Sequence, residues 1–248
     1  MPVEVYNKDE TGELVDGLES AYQKADTNLQ NKITALEARV KKLGTPPVAS
    51  NIYDSFNYTE VFVEGQNSKN LKWHCDFVSG GFARTDGNGL IIAPAGPTLR
   101  AVQVKSTQQW GDAKFTFDIT TEKQTVTTGV QSWMCGWILF RHLDKWRHYY
   151  VAVKLNGIEF GKKDAPVGLE PQSEVEKFQK IIWTGGPSTP IGTKRNIAIL
   201  TKGDRFTIMV DGTIVMDLTD VSSFKSGSLS PYSEGSQARY SAIKVENI

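Results

Sequence analysis

Cysteine is scarce in this chain. Cys75 and Cys135 are the two present, and each sits in an apolar run beside a tryptophan. Buried free thiols are the expectation, since spacing alone cannot establish a bridge between them. Net charge is missing too. The 28 basic and 28 acidic residues cancel, so no broad field draws nucleic acid or an anionic membrane. No apolar run reaches the length of a transmembrane helix, so membrane insertion is not expected. Residues 1–13 (MPVEVYNKDETGE) are polar and acidic without an apolar signal core. The expectation is synthesis in the cytoplasm without a signal peptide, and access to the exterior by lysis or on a particle. There is no G-x-S-x-G elbow, no phosphate-binding loop and no dinucleotide fingerprint.

What is present divides into two kinds of sequence. After a polar lead at residues 1–12, Val15, Leu18, Tyr22, Ala25 and Leu29 recur at steps of three and four. Ile33, Leu36, Val40 and Leu43 continue the series after one extra four-residue step. That is a heptad pattern with a single stutter, and it predicts a coiled-coil helix over 13–44. Gly44 and the Pro46-Pro47 pair end it, and residues 45–50 read as a stiff linker. A helix with so narrow an apolar seam is marginal alone in water. Copies of it are therefore expected to associate through Leu18, Tyr22, Leu29, Ile33, Leu36, Val40 and Leu43, as two or three strands.

From residue 51 to 248 the helical period gives way to short alternating runs separated by Gly, Pro, Asn and Asp. Asp86-Gly87-Asn88-Gly89, Asn156-Gly157 and Asp211-Gly212 are tight-hairpin signals. About fifteen such runs predict an all-β sandwich of two sheets. Residues 164–178 break the rhythm and read as a long loop, the kind that rims binding sites.

The stretch from Trp133 to Leu155 (WMCGWILFRHLDKWRHYYVAVKL) concentrates aromatic and basic side chains. It reads as strand, polar tip, strand. Alternation sends Gly136, Ile138 and Phe140, with Tyr149, Val151, Val153 and Leu155, toward the core. Trp137, Arg141, Tyr150 and Lys154 then share the opposite face, with Trp146 and His148 at the tip. Such a surface suits sugars, because an aromatic face covers the apolar side of a pyranose while charged groups reach its hydroxyls. The competing reading is packing: Trp137 and Tyr150 under a loop, Arg141 in a salt bridge. His142, Asp144 and His148 surround one loop, but offer fewer ligands than zinc requires.

Several pieces in order carry a family resemblance: YDSFNY, GGFARTDGNGLIIAPA, LRAVQVKSTQQWGDAKFTFDI, WILFRHLDKWRHYYVAVKLNGIEFGKK, GDRFTIMVDGTIVMDLTD and SLSPYSEGSQARYSAIKVENI. Residues 51–248 thereby resemble the concanavalin A-like lectin/glucanase jelly rolls, the laminin-G-like group that includes domains of the 3-keto-disaccharide hydrolase type. Phe140, Arg141, Asp144, Tyr149 and Tyr150, with the hairpin Val210-Asp211-Gly212, carry most of it. The resemblance implies a curved sheet whose concave face holds a glycan in many members. It also implies that an enzyme of this fold would carry the string E-x-D-x-x-E, which is absent. The nearest acids are Glu174 and Glu176, in the long loop, and the lyase set finds partial echoes in Arg141, His142 and Tyr150. No cofactor is expected. Calcium is the one ion to consider, at Asp86 and Asn88 or at Asp54. A short coiled coil ahead of such a domain is similar to bacteriophage virion adhesins and tail-associated proteins. That implies a trimer, a cell-surface glycan and other virion proteins as partners. The function expected is non-catalytic carbohydrate binding or adhesion. A purely structural virion protein, or a glycan hydrolase or lyase, is the alternative.

Overall fold

The computed structural model describes residues 8–42, 50–166 and 178–248, in two units, Met1–Val48 and Ala49–Ile248. In the first unit α1 spans Lys8–Lys42, about 50 Å of helix at the usual rise. It begins five residues before the expected start, inside the stretch read as lead. Gly12 and Gly17 lie within the helix, although each weakens it by roughly 1 kcal/mol against alanine. Val15, Leu18, Leu29 and Ile33 are exposed, and Tyr22 is 81% exposed. Leu43 and the Gly44–Pro47 stop lie outside the described residues, as do the side chains of Leu36 and Val40.

The second unit is a jelly-roll β-sandwich of two antiparallel sheets, with strands numbered in chain order. Sheet I runs β15 (Thr213–Thr219), β14 (Arg205–Val210), β13 (Lys194–Lys202), β8 (Ala113–Gln124), β17 (Ser236–Asn247), β5 (Leu90–Ala93), β4 (Phe82–Asp86), β2 (Thr59–Phe62), and β1 (Ile52–Asp54) also pairs with β17. Sheet II runs β12 (Gln179–Gly185), β11 (Gly157–Asp164), β10 (Arg147–Lys154), β9 (Gly136–Asp144), β16 (Gly227–Glu234), β6 (Ala101–Ser106), β3 (Trp73–Phe77), and β7 (Gln109–Trp110) pairs with β16.

Alternation builds the core between the sheets. Phe115, Phe117 and Ile119 point in from β8, Ile138 and Phe140 from β9, Tyr149, Val151 and Val153 from β10. Their centre is an aromatic block: Phe140, Tyr149, Phe160 and Phe206 lie with ring centroids 4.6–6.2 Å apart. Full burial of each phenylalanine is worth about 1.5–3 kcal/mol. The Asp211-Gly212 hairpin joins β14 to β15 with φ of +51° and +81° at its two central residues, the left-handed pair that a two-residue primed turn needs.

Two strands escape the sequence reading. β7 is two residues long. β16 carries the sequence GSLSPYSE, whose serines, glycine and proline read as loop, yet it pairs with both β9 and β6 in the middle of sheet II. Its serines make it a strand. Ser228, Ser230 and Ser233 are buried, and their hydroxyls donate to the carbonyls of His142 (3.1 Å), Val104 (3.0 Å) and Ser236 (2.6 Å). The Val104 carbonyl thus has a donor beside Pro231, which has no N–H to give.

The second departure is at Arg141. Its φ is +43°, and the β9–β16 register slips there, His142 facing Ser228 while Leu139 faces Ser230. This is a β-bulge, and a bulge moves the next side chain to the other face. Arg141 therefore does not join Trp137 and Tyr150. It turns inward and is fully buried, its guanidinium 5.2 Å from the Phe206 ring. There it donates to the carbonyls of Gly203 (2.8 Å) and Phe224 (2.7 Å) and pairs with Asp112 (3.2 Å). Three loops are tied to one cation. Arg141→Ala is expected to lower stability to urea by about 2–3 kcal/mol through the loss of its bonds to Gly203 and Phe224; the loss stays below the roughly 3–5 kcal/mol of a fully buried pair because Asp112 is half-exposed and can hydrate. A loss below about 0.5 kcal/mol would show that those loops hold without it.

Candidate functional site

The far face of sheet II carries a second hydrophobic cluster, separate from the core. Cys135, Trp137, Leu139, Tyr150 and Ala152 are buried in it, with Trp133 and Tyr232 packed against them. Each alternates with a core residue on β9 or β10, so both faces of these strands are apolar. Trp137 lies 4.9 Å from Tyr150 and 6.0 Å, edge-on, from Tyr232.

This cluster floors a pocket of about 180 Å³, smaller than the roughly 300–1,000 Å³ of a drug-sized site. Phe77, Trp137, Leu139, Tyr150 and Tyr232 are its apolar lining; Gln103, Lys145, His148, Lys163, Gln179 and Glu234 are its polar lining among the described residues. These come from β3 at one edge of the sheet to β12 at the other. On a flat sheet seven strands would spread over about 29 Å, so their convergence on one pocket requires the sheet to curl around it.

Hydrogen bonds fix the floor. The Trp137 indole N–H donates to the Trp133 carbonyl (2.9 Å). The Tyr150 hydroxyl donates to Glu159 Oε1 (3.1 Å) and accepts from Gln179 Nε2 (2.9 Å). Burial, and next the Glu159 carboxylate, raise the Tyr150 phenol well above its usual range, so it stays protonated. The Tyr232 hydroxyl donates to Glu234 Oε2 (3.1 Å).

The expected site residues part company here. Trp137, Tyr150 and His148 line the pocket. Trp137 is 7% exposed and Tyr150 is fully buried, so the expected flat platform is a recess. Lys154 is held by Glu159 Oε2 at 2.8 Å and is not among the pocket residues. Trp146 is buried in the β9–β10 turn, where its N–H donates to Asp144 Oδ1 (2.8 Å) and Lys145 lies 4.9 Å from its ring. Arg141 is on the core side, so Arg141, His142 and Tyr150 do not converge as a lyase set would. Gln103, with Tyr232 and Glu234, went unread. In AVQVKS the inward Val102 and Val104 do signal that Gln103 faces out; the other two were hidden with β16.

Glu234 is the single carboxylate among the described lining residues, whereas glycoside hydrolysis uses two. Glu174 and Glu176 lie outside the described residues. No group of three or more His, Cys, Asp or Glu side chains converges as metal ligands among them. Both cysteines are free and buried. Asp54 accepts from the Phe56 N–H and the Trp73 indole, both at 2.9 Å, and Asp86 grips Arg239 with both oxygens. Protein donors thus reach the carboxylate oxygens of Asp54 and Asp86.

The His142 and His148 rings lie 5.3 Å apart, tilted by 36°, at the wall of the pocket. Burial pushes His142 down to about 4 and His148 to about 3, the latter also through the neighbouring His142. Both are neutral when folded at pH 5–7, while the unfolded chain takes up protons below about 6.5. Stability is therefore expected to be full above pH 6.5 and to fall as the pH drops toward 4. Chemical denaturation at stepped pH should show this slope. His142→Gln with His148→Gln should flatten it; an unchanged slope in the double variant would contradict the assignment.

No family model matches the sequence, and no curated protein matches it. Solved structures do. A carbohydrate-binding module from Bacillus subtilis is 18% identical, with a TM-score of 0.55 over 75% of this chain and 99% of that one. A β-glucanase from Bacillus licheniformis is 12% identical, with a TM-score of 0.56 over 82% of this chain and all of that one. A Bacillus subtilis protein of unknown function with a galectin-like fold is 11% identical, with a TM-score of 0.53 over 79% and 98%. At these identities the likeness is one of fold: a concanavalin A-like jelly-roll sandwich.

Proposed function

We propose that this protein is a non-catalytic carbohydrate-binding protein, that the pocket on the far face of sheet II receives the sugar, and that α1 gathers several copies. The observation that carries the reading is the aromatic floor of Trp137, Tyr150 and Tyr232 set among amide, ammonium and carboxylate groups. A sugar ring presents an apolar face to the one and hydroxyls to the other. Solved proteins of this fold include a carbohydrate-binding module and a β-glucanase, which supports reading a sheet-face pocket as a sugar site.

The exposed seam of Val15, Leu18, Tyr22, Leu29 and Ile33 supports self-association, with a trimer as the proposed state. Linked copies of a weak site gain roughly 10²–10⁴ on a dense surface. The proposed setting is the outside of a phage or similar particle, with a host glycan as the partner of the sandwich. A structural component that binds no sugar is the second reading, favoured by the complete burial of Tyr150.

A glycan array followed by calorimetry tests both halves. Trp137→Ala is expected to weaken binding of the best soluble oligosaccharide by about 2–10-fold, the loss of one stacking contact. Leu18→Asp with Leu29→Asp should reduce the mass in solution to one chain and weaken binding to a dense glycan surface, leaving affinity for the soluble oligosaccharide unchanged. An array with no positive glycan would leave the structural reading standing.

A further inference from the structure

Beside the aromatic pocket, on the same face of sheet II, lies a second recess of about 410 Å³ with walls of another chemistry. Asn67, His74, Lys105, Gln109, His142 and Ser228 make it polar. The two share a wall: Gln103 lines the first, His142 lines the second, and Gln103 Nε2 lies 3.0 Å from His142 Nε2.

Their placement on the strands is different. The aromatic pocket takes residues from every strand between β3 and β12, so it crosses the sheet. The polar recess is displaced from it along the strands. On β6 the step is from Gln103 to Lys105, and on β16 from Tyr232 to Ser228. Two to four residues correspond to about 7–13 Å. A linear chain lying across the strands would fill the first pocket and leave the second to one side. A substituent projecting from that chain would reach it.

The charges in the recess are already met. Lys105 pairs with Asp76 at 2.8 Å, the same carboxylate lies 3.6 Å from His74 Nε2, and His74 Nδ1 lies 2.8 Å from Asn67 Oδ1. With its cation neutralised within the wall, the recess offers hydrogen bonds to hydroxyls rather than a field for sulfate or phosphate.

We propose that this recess is a branch-recognition subsite, taking a neutral monosaccharide substituent of a glycan whose main chain occupies the aromatic pocket. The proposal rests on the carbohydrate reading of that pocket.

The test uses the full chain and matched pairs: mannohexaose against mannohexaose with one galactosyl branch, cellohexaose against its singly xylosylated form, and a linear against a branched dextran oligosaccharide. Calorimetry is expected to show one branched member bound about tenfold more tightly than its linear partner. Gln109→Trp, which fills the recess from an exposed position on β7, should abolish that preference and leave linear binding intact. His74→Ala should reduce it as well, and thermal unfolding checks that both variants fold. Equal binding of every pair, or a preference that survives both variants, would overturn the branch subsite while the carbohydrate reading stands. No binding of any member by the unaltered protein, together with a glycan array that shows no positive, would overturn both.

Discussion

One left-handed residue sets what the end of β9 gives to each face of sheet II. At Arg141 the strand β9 takes in an extra residue, and the side chain that alternation would send outward goes in. There it closes the end of the core, bridging Asp112, Gly203 and Phe224 above the Phe206 ring. The same slip turns His142 outward against Gln103 and His148. Without it the wall between the two recesses would lack its histidine, and three loops would lose their common partner. A bulge costs ladder hydrogen bonds and twists the strand; here it brings a guanidinium to Asp112 and to the carbonyls of Gly203 and Phe224.

The outer face follows from a second constraint. An antiparallel sheet commonly leaves one face to water, but β9 and β10 are apolar on both. Packing Trp137, Tyr150 and Tyr232 together removes their area from water, yet each polar tip then needs a partner. Tyr150 finds Glu159 and Gln179, Glu159 needs Lys154 to balance its charge, and Trp137 uses the Trp133 carbonyl. The result is a recess with fixed walls rather than an open platform, and little ordering remains to be done when a ligand enters.

These constraints explain what the sequence could and could not convey. The period-two pattern of β9 and β10 marks Ile138, Phe140, Tyr149, Val151 and Val153 as inward, as they are, though Leu155 stays outside the core, and the Asp211-Gly212 turn announces its hairpin. Trp137 and Tyr150 were found because their alternation holds up to Leu139. It fails at Arg141, where the choice between outward and inward depends on Asp112, Gly203 and Phe224, remote in the chain. β16 is hidden for a related reason: Ser228 and Ser230 bond the carbonyls of the neighbouring strands β9 and β6, and Ser233 bonds the Ser236 carbonyl across the turn to β17, none of which is a preference of serine itself. Its loss hid Tyr232 and Glu234. Gln103 could have been read from AVQVKS, but nothing local says that it meets His142.

The account is tested most directly by where a sugar touches the sheet. An isotope-labelled sample titrated with the best-binding oligosaccharide can be followed at the Trp137 indole N–H and at the side-chain amides of Gln103 and Gln179. Those three signals are predicted to move together, with one affinity, while the outer face of sheet I stays still. Movement confined to sheet I, with the Trp137 indole unchanged, would contradict it.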